Sequence, residues 1–162
     1  MNITANTLCP VCGMRSGGSD FETNYQKTKY YFCSQQCLDN FNARPLLYIK
    51  SPKNRPEPVL KKRTLSLVDN VDKSTAQTIQ THLKKLMGIR EIDISNHKIT
   101  IKYDLLQVSV KAIEESLEDL GTQLSQGWLE RIKCAWIQEI ENNELDNLAA
   151  PSSACCNKAP VR

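Results

Sequence analysis

Four cysteines near the start of the chain, Cys9-x2-Cys12 and Cys33-x3-Cys37, have the type and spacing to hold a metal ion. Twenty residues separate the two pairs. Two short-spaced thiolate pairs are the usual donor layout of a tetrahedral all-cysteine zinc site. Soft sulfur also suits Cu(I), so the set reads either as a closed structural Zn2+ site or as an exchangeable site for Cu+, zinc or another thiophilic ion. Gly13 directly after Cys12 allows a tight knuckle in which backbone N–H groups approach sulfur. The competing chemistry is two disulfides, which requires an oxidising compartment. The chain has seven cysteines, and an odd count argues against a closed disulfide framework.

A second candidate is the vicinal pair Cys155-Cys156 in the C-terminal tail. Adjacent thiols can capture one soft ion and pass it on by ligand exchange, with Cys134 as a candidate third donor. The alternatives are an incidental pair and, for Cys134, a small buried hydrophobe. Met14 offers a thioether beside the knuckle, or simply packs. His82 and His97 lack ligand spacing to another donor and read as surface histidines. Catalytic signatures are missing from the sequence: it has no phosphate-binding loop, no Gly-x-Ser-x-Gly and no Cys–His dyad. Cys9-Pro-Val-Cys12 has redox-motif spacing, but it opens a four-cysteine set and does not end the strand of a thioredoxin-like unit. The expected role is non-enzymatic.

The 162 residues suffice for one domain or two small ones. A net charge of +3, from 21 basic and 18 acidic residues, is too weak to suggest nucleic acid. There is no run of about 18 apolar residues, so no membrane insertion is expected. MNITANTLCPVC has neither a basic nor an apolar leader region, and a reducing cytoplasmic setting follows as the expectation.

Five segments must position the thiols. In residues 1–49, FETNYQKTKYYFC (21–33) reads as a hairpin, and Ser34 caps a helix from Gln35 to Ala43 that ends at Pro45. So short a unit builds little core, and metal would supply much of its folding free energy. Residues 50–62, with three prolines and five basic residues, read as a semi-rigid linker. In residues 63–125, TLSLVD (64–69) alternates as a strand, and Asp72 caps a helix with Ile79, Leu83, Leu86 and Met87 inward, closed by Gly88. IREIDIS and KITIKYD form a hairpin around Asn96-His97. A helix from Val108 to Leu120 stops at Gly121, and residues 122–125 can add a last strand. The order βαββαβ is the ferredoxin-like arrangement. Residues 126–148 read as a further helix whose stripe Trp128, Leu129, Ile132, Trp136, Ile137 and Ile140 packs on the neighbouring unit, forms a homodimer seam, or meets a partner. Residues 149–162 read as a flexible tail.

The first unit resembles the YHS (TRASH-like) metal-binding domains, through CPVCGM at 9–14, KYYFCSQQC at 29–37, Phe41 and Pro45-x2-Tyr48. The resemblance implies a small treble-clef-like zinc-binding fold, found beside heavy-metal transport and sensing proteins. The Asp common before Pro-Val-Cys in that family is Cys9 here. The second unit resembles the heavy-metal-associated domain of copper chaperones and metal-pumping P-type ATPases, in pattern more than identity. That family's Gly-Met-x-Cys-x-x-Cys loop falls at 69–75, where Asp72 and Thr75 stand in place of the two cysteines. The resemblance therefore implies a scaffold without its own metal site.

Together these readings give an α+β chain: a four-cysteine site, a ferredoxin-like scaffold and an added C-terminal helix. The expected function is a metal-binding chaperone or accessory protein, delivering copper or another soft metal to a metal-transporting P-type ATPase or a metal sensor. The alternatives are a non-catalytic adaptor with structural zinc, and a mercury or arsenic detoxification protein acting through Cys155 and Cys156.

Overall fold

The computed structural model describes residues 7–17, 20–49, 57–122, 124 and 128–150, with side chains from residue 132 onward in the last segment. An antiparallel bridge from Leu8 to Arg15 closes the knuckle that carries the first two cysteines. Strands β1 (Glu22–Tyr25) and β2 (Thr28–Tyr31) pair antiparallel around Gln26 and Lys27. Both turn residues are left-handed, with φ of 49° and 64°, as a two-residue turn matching strand twist requires.

Helix α1 (Gln35–Ala43) begins at Ser34, whose hydroxyl accepts from the Cys37 N–H at 3.3 Å. The chain does not leave helical structure at Pro45 as the sequence suggested. Arg44 breaks α1, and Pro45 opens a short α2 (Pro45–Ile49). Its fixed φ and missing N–H suit a first helical position. Phe41 is the hub of this part's core, with ring centroids of Tyr30 at 4.9 Å, Phe32 at 5.1 Å, Tyr25 at 6.0 Å and Tyr48 at 6.2 Å.

The second part runs β3 (Leu60–Ser66), α3 (Lys73–Leu83), β4 (Ile89–Ser95), β5 (Lys98–Asp104) and α4 (Val110–Asp119). Its sheet is antiparallel in the order β3-β5-β4. Ile99, Ile101 and Tyr103 alternate onto the covered face, the same side as the buried Ile79, Leu83, Ile113 and Leu117 of the helices. An antiparallel bridge from Leu67 to Leu124 sets the chain after α4 beside β3, where a ferredoxin-like fold has its fourth strand. Among the described residues the strand expected at 122–125 is reduced to that bridge.

Two further boundaries differ from expectation. β3 starts at Leu60, inside the stretch read as linker, and pairs from Leu60↔Asp104 onward. Its basic residues looked solvated, but helix α5 (Trp128–Ala149) supplies acids to them, with Lys61 2.6 Å from Glu144. α3 ends at Leu83, well before Gly88, and residues 84–88 form turns that carry Leu86 and Met87 against the core.

Of the stripe residues of α5 whose side chains are described, Ile137 alone packs against the core. Ile132, Trp136 and Ile140 are exposed, Trp136 by 72%, while Glu141 and Leu145 are buried and Cys134, Ile137 and Gln138 half-buried. Trp128 and Leu129 lie where side chains are not described. The apolar periodicity was misleading because the buried face is chosen by a carboxylate. Glu141 accepts from the Tyr103 hydroxyl and, at 2.9 Å, from the Val110 N–H in the first turn of α4. No described helix is long and apolar enough to cross a membrane.

Gly88 packs the turn before β4 against the end of β5 and the loop that follows it. Its φ is +101°, and a Cβ there would lie 2.7 Å from the Gln107 Cβ and 3.1 Å from Val108 Cγ1. Gly88→Ala should combine left-handed strain with overpacking and cost about 2–4 kcal/mol. Urea denaturation of the variant checks this, and an unchanged midpoint would refute it.

Candidate metal centre

Three elements deliver the four sulfurs. The knuckle supplies Cys9 and Cys12, and Gly13, at φ +76°, lets its N–H return to the Cys9 carbonyl at 2.8 Å while the Cys9 N–H donates to Met14 O at 2.7 Å. Cys33 follows β2, just after the buried Phe32. Cys37 sits in the first turn of α1, where the helix dipole and unpaired N–H groups favour a thiolate.

The four Sγ atoms lie within 4.8 Å of one another. Cys12 and Cys33 approach to 3.2 Å, and Cys33 and Cys37 to 3.7 Å. Around a tetrahedral ion with sulfur at about 2.3 Å, the sulfur–sulfur edge is about 3.8 Å, so the Cys33–Cys37 spacing is close to that edge, Cys12–Cys33 is somewhat shorter, and no pair is more than 4.8 Å apart. Cys9, Cys12 and Cys37 are buried, and Cys33 is half-buried. Hydrogen bonds from the Cys12 thiol and then the Cys37 thiol hold Cys9 far below the ordinary thiol range. Cys37, as a donor to Cys12 and Cys9 and as a buried group, is pushed up. An ion taking four thiolates must displace thiol protons.

The other sequence candidates lie elsewhere. Asp72 is a helix cap: its carboxylate accepts from the Thr75 N–H at 3.0 Å and the Ser74 hydroxyl at 2.7 Å. Hydrogen bonding from the Thr75 side chain, then the Ser74 hydroxyl and the Thr75 N–H, holds it at about 2, below the usual carboxylate value. The 69–75 loop adjoins the β4–β5 turn, through Val71 N–H to Asn96 O at 3.2 Å, while Gly88 meets Asp104 at the opposite end of β5. Seven strand residues separate these ends by about 20 Å, so the 69–75 loop cannot share an ion with the four cysteines. Cys134 lines a small cavity with Arg63, Glu114 and Lys133. It lies about 24 Å along α5 from Ala150, at 1.5 Å per residue. Cys155 and Cys156 fall outside the described residues. Met14 does not pack: it is 51% exposed.

Sequence reasoning missed the surroundings of Cys37. Gln36 clamps the turn before Gly88: its Oε1 accepts from Met87 N–H at 3.0 Å, and its Nε2 donates to Met87 O at 2.9 Å and Gln107 O at 2.8 Å. Asn40 donates to the same Gln107 carbonyl at 2.7 Å, and the Tyr48 hydroxyl to Leu106 O at 2.8 Å. The face of α1 behind the cysteines is therefore seated on the ferredoxin-like part. The only hint in the sequence was a polar pair, Gln36 and Asn40, four residues apart.

Residues 9–51 match the YHS domain family. No curated protein matches the chain significantly. Among solved structures, the chain is similar to the crystal structure of oxidized MerP from Ralstonia metallidurans CH34, with 19% identity over 41% of this chain and 96% of that one, at a TM-score of 0.39.

Proposed function

We propose that this protein binds a soft metal ion through Cys9, Cys12, Cys33 and Cys37 and hands it to a metal transporter, such as a P-type ATPase, or to a metal sensor. Copper(I) is the preferred cargo and zinc the competing occupant. The observation that carries this reading is the convergence of four sulfurs at ion-binding spacing, one of them only half-buried. In this reading residues 1–49 hold the ion. The ferredoxin-like residues 63–125, whose loop is capped by Asp72 in place of thiolate ligands, act as a rigid seat and docking module. Cys155 and Cys156 provide a second thiol pair that exchanges the ion. The setting is a reducing cytoplasm, where all these thiols stay available.

The exposed row Ile132, Trp136 and Ile140 favours a second reading, a non-catalytic adaptor or regulator with a structural zinc, docking by α5 to a partner or a second copy. One experiment separates the two. Protein purified anaerobically is challenged with Cu(I), desalted, and its metal content measured. Copper retained with loss of zinc is expected if the four thiolates carry cargo. One zinc that resists displacement, with no copper kept, rejects the delivery role and leaves the adaptor.

A further inference from the structure

The geometry points to Met87 as a fifth sulfur of the metal centre, supplied by the ferredoxin-like part and selecting a soft monovalent ion over zinc. This deepens the proposed function and rests on the four cysteines being a metal site. Met87 Sδ lies 3.8 Å from Cys37 Sγ and 3.2 Å from the Ser34 hydroxyl, which caps the helix bearing Cys37. The residue is half-buried and follows α3 by four positions, in a turn where no helix dictates its direction.

A methionine beside a cysteine often only fills space. Two features distinguish this one. First, its backbone is fixed to the metal-bearing helix. Gln36, immediately before Cys37, bonds both the N–H and the carbonyl of Met87, so the thioether and the Cys37 sulfur keep their mutual position. Second, Gly88 packs the turn closely against Gln107, whose carbonyl accepts from both Gln36 and Asn40 of the metal-bearing helix, so the turn is held to that helix through a second path. A neutral thioether adds nothing to a hard or borderline dication that already has four thiolates. It is a good ligand for Cu(I) or Ag(I), which accept mixed thiolate–thioether shells. Ligation needs no redox step: one thiolate or thioether contact is exchanged for another, and the proton of any displaced thiol goes to solvent.

The test compares Cu(I) and Zn(II) affinities, by competition with chelators, in the full chain carrying C155S and C156S so that the tail thiols do not contribute. Met87→Leu should lower Cu(I) affinity by about tenfold or more while Zn(II) affinity stays within about twofold. The exposed Met14→Leu serves as control and should move neither. Both ions meet the same folding cost, so their ratio reports the donor even if the variant is less stable, and Met87→Ile gives a second reading of that ratio. An unchanged ratio in the Met87 variants, with or without an equal loss for both ions, would make Met87 a packing residue. Failure of the unsubstituted metal centre to bind either ion would overturn the four-cysteine reading itself, and this inference with it.

Discussion

Replacing Cys37 with serine should abolish tight metal retention and unfold residues 7–49, leaving the ferredoxin-like part folded. A structural four-thiolate ion contributes about 10–16 kcal/mol of folding free energy in small zinc-binding peptides. A quarter of that per ligand predicts a loss of affinity of about 100- to 1000-fold. Cys37 is the severest of the four to lose, because its sulfur is buried at a helix N-terminus and touches both Cys33 and Met87. Against this stand the contacts that do not need metal. The Phe41 aromatic cluster is a core of only a few side chains. The hydrogen bonds of Gln36, Asn40 and Tyr48 to the second part contribute on the order of 1 kcal/mol each. They cannot replace the ion in a unit of this size. Amide exchange checks the prediction: C37S, or the parent protein after chelation, should lose protection around Phe32 and Phe41 while Ile99, Ile101 and Tyr103 keep theirs. Retained protection at Phe32 in the chelated protein would mean that the ion is cargo alone and not part of the fold.

Glu141→Ala should be the most damaging change outside the metal centre. The carboxylate is 1% exposed and accepts from the Tyr103 hydroxyl and the Val110 N–H, with the Arg63 Nε at 3.8 Å. Truncation leaves Arg63 without its counter-charge and strands a phenol and a helix-terminal N–H. Breaking such a buried cluster from one side costs about 3–5 kcal/mol. That is a large part of a typical total stability of about 5–15 kcal/mol. For a chain of this length it lowers the melting midpoint by on the order of 10 °C. Glu141→Gln keeps an acceptor oxygen and should cost about half as much, since only the charge and one favourable donor–acceptor match are lost. A thermal midpoint within 2 °C or so of the parent for E141A would show that α5 is held by its other contacts, such as Arg44–Asp146 at 2.6 Å. Because α5 carries the acids that balance Lys61, Arg63 and Arg44, E141A also tests whether this helix belongs to the fold or merely follows it.

The same two sites mark the limit of what could be read without coordinates. Local chemistry was legible. Cysteine spacing, the Ser34 and Asp72 caps, the Asn96-His97 turn and the period-2 pattern of residues 89–104 each depend on neighbours within a few positions, and the sequence states those directly. The ferredoxin-like order of elements followed from them. Boundaries set by distant partners were not legible. Leu60 to Arg63 look like a charged linker until the acids of α5 and the β5 ladder are set against them. The aromatic stripe of α5 looks like its packing face, yet one buried glutamate, needed by Tyr103 and α4, turns Ile132, Trp136 and Ile140 to solvent.

Sequence by itself therefore determined the candidate donor set and the scaffold, because thiolate chemistry and backbone periodicity are properties of short stretches. Only the tertiary structure decided that the four sulfurs converge, that the loop with Asp72 lies at the far end of the sheet from them, and that Met87 stands against Cys37. Those are relations between groups well separated along the chain, and the last of them, across fifty residues, is fixed by part-buried hydrogen bonds from Gln36 and Asn40 that leave no periodic trace.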